Sequence, residues 1–135
     1  MRDDTASLTL LGKTKTDYPS RVDSEILETF PNKFPQRDYQ VVMLTDEFTS
    51  LCPVTGQPDY GTIEVKYCPD QECIESKSLK YYLFSYRQEP TFMETVVNRI
   101  LDDLVARCLP RKMTVVGRFR ARGGISIDVR ADYER

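Results

Sequence analysis

The stretch GTIEVKYCPDQECIESKSLKYYLFSYR, residues 61–87, changes its period midway, and that change decides the fold class. In its first part Ile63, Val65 and Tyr67 alternate with Thr62, Glu64 and Lys66. A period of two puts the apolar side chains on one face, as in a half-buried antiparallel strand. Pro69-Asp70 closes that strand. From Glu75 onward the apolar positions are Leu79, Tyr82, Leu83 and Tyr86, the spacing of one helix face.

Reading outward, YQVVML (39–44) is apolar and β-branched and predicts a strand. Beyond Pro90 a stripe of Phe92, Val96, Val97, Ile100, Leu101, Leu104 and Val105 predicts a second helix, running to about Cys108. TFME (91–94) has the form of a capping box, with Thr91 as N-cap and Glu94 reaching back to its amide. The chain then returns to strands in MTVVGRFRARGGISIDVR (113–130). Alternation there sends Arg118, Arg120 and Arg122 one way and Phe119 and Ala121 the other, and Gly123-Gly124 signals a tight hairpin turn. Two strands, two helices and two strands make an α+β domain with both helices on one face of an antiparallel sheet. Residues 1–23 show few periodic apolar positions and read as an N-terminal arm, with a single domain over 24–135. SEILETFPNKFPQRDY (24–39) predicts a short turn of helix and an anchored loop. A four-stranded sheet has two edges and an uncovered face, so assembly with further copies is expected.

With 135 residues the chain can bury one real core, and 40% hydrophobic with 30% charged residues is an ordinary globular composition. No run approaches the roughly 20 apolar residues of a membrane helix, and no secretory leader pattern is present, so a cytoplasmic protein is expected. The net charge of -2 and pI near 5.2 argue against a nucleic-acid partner while leaving room for a small basic pocket. Cys52, Cys68, Cys73 and Cys108 read as reduced thiols, and no histidine or second close pair completes a metal set. The absence of histidine also excludes Ser-His-Asp and Cys-His machinery. Acid–base work must then fall to carboxylates, thiols, lysines or tyrosines with shifted pKa values.

Several residues have two readings each. The segment Thr45–Tyr60 is long for a loop and carries Pro53, Gly56 and Pro58. Within it Cys52 is either a small buried hydrophobe or a nucleophile, and Asp59 a turn former or its proton source. Glu94 is a cap or a ligand-binding carboxylate. Lys77, Lys80 and Arg87 form a solvated face or hold phosphates. Arg122 is the most suggestive of the arginines, because Gly123-Gly124 beside it allows close backbone approach. No G-x-G-x-x-G follows a strand, which excludes a Rossmann site.

Taken together, ESKSLKYYLFSYR (75–87), EFTSLCPVTGQPDYGTI (47–63), FMETVVNRILDDL (92–104), LETFPN (27–32) and RGGISID (122–128) resemble the QueF family. These are the NADPH-dependent 7-cyano-7-deazaguanine (preQ0) reductases, and the short chain is similar to the unimodular subgroup. The resemblance implies the tunnelling fold, whose ββααββ order agrees with the periodicities above. It also implies a homo-oligomer, a decamer of two stacked pentamers with active sites between subunits. The implied reaction reduces the preQ0 nitrile to the aminomethyl of preQ1, on the way to queuosine in tRNA. Cys52 matches the nucleophile that forms a covalent thioimide, and Asp59 the acid that protonates nitrogen. Ile74, Glu75, Ser76, Met93 and Glu94 match substrate contacts; Ser76, Lys77, Arg122 and Gly123 match NADPH contacts. The family pattern reads Phe-His-Glu where this chain has Phe92-Met93-Glu94. Methionine can pack on a flat heterocycle through its sulfur but cannot donate a hydrogen bond. Two other readings are an amidinotransferase making archaeosine on preQ0-tRNA, against which the 75–87 segment with Lys77 argues, and a non-catalytic deazapurine- or pterin-binding protein.

Overall fold

A computed structural model of the chain describes residues 2–10 and 17–135. Residues 1 and 11–16 of the expected arm lie outside the described residues. The elements are β1 (Thr29–Pro31), β2 (Val41–Leu51), β3 (Pro58–Cys68), β4 (Glu72–Ile74), α1 (Ser76–Phe84), α2 (Met93–Cys108), β5 (Lys112–Arg122) and β6 (Ile125–Glu134). Short 3-10 turns at Ser24–Ile26 and Ser85–Gln88 complete the order. The main sheet is antiparallel in the order β2-β3-β5-β6, so the predicted α+β class with two strands, two helices and two strands holds. β1 and β4 form a separate two-stranded ribbon that local periodicity did not signal, because each is only three residues long.

Ile63, Val65 and Tyr67 of β3 and Met113, Val115 and Phe119 of β5 point inward, as the alternation requires. They meet Leu79, Tyr82 and Leu83 of α1 and Val96, Val97, Ile100 and Leu104 of α2 in one buried cluster. Burial of this apolar surface is the main favourable term holding the layers together. α2 approaches β5 closely at Gly117, where an added Cβ would stand 2.7 Å from Val97 Cγ2. The Gly123-Gly124 turn has φ of +59° and +79°, the positive pair that a type I′ hairpin demands.

Three expectations are corrected. First, most of the long loop expected over Thr45–Tyr60 is strand. β2 extends to Leu51 and β3 begins at Pro58. The strand is obscured in the sequence by a bulge: between the pairs Thr45↔Ile63 and Phe48↔Gly61, β2 advances three residues while β3 advances two. The extra residue shifts the inward set from Val41, Met43 and Thr45 to Phe48 and Ser50. Second, the arginines do not share a face. Between Phe119↔Ile127 and Arg122↔Ile125, β5 advances three residues against two on β6. That bulge turns Arg122 to the inward face of Phe119, while Arg118 pairs with Glu64 and Arg120 lies over the Tyr60 ring on the open face. Third, Thr91 is not the N-cap of α2. Phe92 is, with no side-chain cap, because the Thr91 amide donates to Leu51 O at 3.0 Å and Pro90 bridges Leu51.

The tight α2–β5 contact sets an expected outcome for Gly117→Ala. Overpacking should destabilise the fold by about 1–3 kcal/mol, read as a lower thermal midpoint without loss of the β-sheet signal in circular dichroism.

Candidate functional site

The end of β2 and the start of β3 build the site. Past Leu51 the hairpin closes through the Cys52 amide, which donates to Gln57 O at 2.8 Å, and the Gly56 amide, which donates to Cys52 O at 2.9 Å. This wraps Pro53–Gly56 into a tight loop in which Gly56 takes φ +72°, a conformation glycine adopts without strain. Cys52, half-buried, sits at the mouth of that loop. The Thr55 hydroxyl, the Thr55 and Val54 amides and the Arg122 guanidinium all face the sulfur. Together they outweigh desolvation and lower the thiol pKa to about 7. A soft nucleophile that is substantially ionised at neutral pH is the result. Cys108 shows the opposite case: burial pushes its thiol up to about 12.

Asp59 lies on β3, directly across from Ser50, and is only 4% exposed. Its Oδ1 accepts from Arg122 Nη1 at 2.6 Å. Arg122 Nη2 donates to Gln57 Oε1. The pairing with Asp59, reinforced by Cys52, raises the arginine's own pKa. One guanidinium thus joins the thiol, the buried carboxylate and the loop. Of the residues singled out from the sequence, the structure brings Cys52, Asp59 and Arg122 together, with Gly123 beside Arg122 in the turn.

The 74–77 segment forms a second locus. Ile74 is buried in the core and its amide donates to the Tyr67 hydroxyl at 2.8 Å. Glu75 caps α1, accepting from the Lys77 and Ser78 amides at 2.7 and 2.6 Å, and those donors lower its pKa. Ser76 and Lys77 are exposed in the first turn. Among the described residues no hydrogen bond or ion pair joins this segment to the Cys52 cluster. Beside it, a groove of about 410 Å³ runs between α1 and β2, lined by Ser76, Lys80, Phe48, Met43 and Tyr18. It includes neither Cys52 nor Asp59.

Glu94 forms a third locus. Thr91 does not cap α2, so the carboxylate has no reciprocal partner in a capping box and stands exposed on the first turn. It borders a shallow depression with Thr95, Asn98, Arg99, Asp102 and Asp103. Met93 is turned the other way, 9% exposed and part of the core. Sequence reasoning missed Ser50, Thr55 and Gln57. Thr55 and Gln57 carried a signal in their closeness to Cys52, whereas the orientation of Ser50 depends on the β2 bulge.

The chain can be set against known proteins on this geometry. The family described as "QueF-like protein" matches over residues 58–135. A Streptococcus mutans protein named NADPH-dependent 7-cyano-7-deazaguanine reductase is 52% identical over 95% of this chain and 79% of its own length. A Chlorobaculum tepidum protein of the same name is 52% identical over 84% of this chain and 97% of its own. Among solved structures, the apo form of an archaeosine synthase QueF-Like superposes with a TM-score of 0.65 at 22% identity, covering 69% of this chain and 91% of that one. That likeness concerns the fold alone. The identity to the two reductases and the family match over most of the sheet and both helices together show that the chain belongs to the QueF-like protein family.

Proposed function

We propose that this protein reduces the nitrile of 7-cyano-7-deazaguanine to the aminomethyl group at the expense of NADPH, through a covalent thioimide on Cys52. The observation that carries the reading is the Cys52 thiol, held near pKa 7 and tied by Arg122 to the buried Asp59. A nitrile carbon is electrophilic, but attack on it leaves charge on nitrogen that must be protonated as it develops. In this reading the Cys52 sulfur bonds to the nitrile carbon, one C–N π bond opens, and the proton lost by the thiol reaches nitrogen through Asp59. No external acid or base is consumed. The same activity stands in the names of relatives about half identical to this chain.

Two NADPH molecules, bound in turn, would each supply one hydride, and the C–S bond to Cys52 breaks between the two transfers to give back the thiol. The exposed Ser76 and Lys77 at the N-terminus of α1, with Lys80 a turn on, fit the NADPH phosphates by charge and by the helix dipole. Arg122, assigned to the cofactor by resemblance, donates one N–H to Asp59 and one to Gln57 and has further N–H donors for a phosphate. Gly123 then supplies close backbone approach rather than charge. Glu94 is free to accept from the amino-pyrimidinone edge of the base, while Ile74 and Glu75 would shape the pocket floor through backbone and cap. Met93, packed inward, orients the first turn of α2.

Among the described residues no hydrogen bond or ion pair joins the 74–77 segment to the Cys52 cluster, which fits a site completed by a second copy, as in the ring-shaped decamer of two pentamers that the resemblance implies. The open edges of β2 and β6, with exposed Val42, Leu44 and Ile125, are the surfaces available for it. Nothing in the net charge of -2 invites nucleic acid.

Incubation with 7-cyano-7-deazaguanine should add the mass of the nitrile to the Cys52 peptide and, with NADPH, oxidise the nicotinamide in step with nitrile loss. A wild-type protein that forms no adduct, or an adduct that survives Cys52→Ala, would overturn the reading. Because the lowered pKa makes thiolate the major form above it, alkylation of Cys52 by iodoacetamide should rise with pH through a midpoint of about 7. Thr55→Ala removes the leading donor and should move that midpoint up, towards the ordinary thiol value of ~8.5. Peptide mass spectrometry across a pH series measures both.

A further inference from the structure

Around Asp59 one buried polar group has no partner. Ser50 is 0% exposed, and its Oγ makes no hydrogen bond within the described chain. The register places it directly opposite Asp59, on the same inward face, two residues before Cys52. Directly paired residues on antiparallel strands have Cβ atoms about 4.5–5.5 Å apart, within reach of a hydroxyl and a carboxyl whose rotamers turn towards each other. Asp59 has room for this contact: Oδ1 accepts from Arg122, and among the described residues Oδ2 accepts from no side chain. A buried hydroxyl without a partner is destabilising, and alanine would fill the same space without that cost. The other orphaned hydroxyl, on Thr49, lies across from Tyr60 on the opposite face.

We propose that Ser50 is a positioning residue for the proton transfer, its hydroxyl holding the Asp59 carboxyl in both of its protonation states. The proposal rests on the nitrile reading above, in which Asp59 takes the proton of the Cys52 thiol and gives it to the nitrile nitrogen as the S–C bond forms. Arg122 can only donate, so it serves the acceptor oxygens of the carboxyl but cannot accept the O–H of the acid. A serine hydroxyl donates to a carboxylate and accepts from a carboxylic acid, and rotation of its hydrogen about the Cβ–Oγ bond exchanges the two roles. Ser50 therefore gives the Asp59 carboxyl a partner in either protonation state, including the neutral one, whose O–H Arg122 cannot accept.

The test is the rate of Cys52 adduct formation in full-length wild-type and Ser50→Ala protein over a series of 7-cyano-7-deazaguanine concentrations, with thermal melts of both. The saturating rate should fall about 10-fold or more in Ser50→Ala, with the half-saturating concentration unchanged and the thermal midpoint equal or higher. An unchanged saturating rate overturns the role of Ser50. So does a slower rate accompanied by a lower thermal midpoint, since that marks a structural role. Failure of the wild-type protein to form any adduct instead overturns the nitrile reading, and the Ser50 role with it.

Discussion

A carboxylate that is 4% exposed needs a cation, and the Asp59–Arg122 ion pair at 2.6 Å is the interaction on which the site depends. Desolvating both groups is offset only by close geometry and further hydrogen bonds, and Gln57 supplies one of those to Arg122. The pair also has a reach beyond its own members. The same guanidinium faces Cys52, so the charge that accompanies Asp59 into the protein also helps keep the thiol ionised. Removing Arg122 would therefore disturb Cys52, Asp59 and the loop together.

The pair exists because β5 carries one residue too many, and a second bulge, in β2, turns Ser50 to the same face. Without the bulge in β5, the strict alternation of Arg118, Arg120 and Arg122 would leave all three on the open face. Without the bulge in β2, Ser50 would point away from Asp59. Bulges break the ladder locally and concentrate beside functional sites, where they re-aim a side chain. Here both lie near the same end of β3, the strand that β2 and β5 flank. The inward residues nearer the other end of the sheet, Val65, Tyr67, Met113 and Val115, keep their period and build the core.

A second long-range contact frees Glu94. The Leu51 backbone, one residue before Cys52, accepts from the Thr91 amide and donates to Glu89 O. The approach to α2 is therefore bound to the end of β2, and the helix begins at Met93 without a side-chain cap. The Phe92 carbonyl still accepts the first helical bond, from the Val96 amide at 3.0 Å. A carboxylate that local sequence assigned to capping is left exposed, while α1 receives a genuine cap from Glu75.

Much of this was legible in local pattern. The alternation of Ile63, Val65 and Tyr67, the stripe of Val96, Val97, Ile100 and Leu104, and the Gly123-Gly124 turn depend on neighbours a few residues away. The sequence by itself determined these elements, their order, and the candidacy of Cys52 and Asp59, because side-chain period and turn chemistry are local properties. Tertiary structure alone decided which way Arg122 and Ser50 point, that Thr91 answers to Leu51, and that β1 finds β4. A bulge is visible only once the partner strand is in register, and a backbone amide chooses its acceptor only when the chain has brought the acceptor to it.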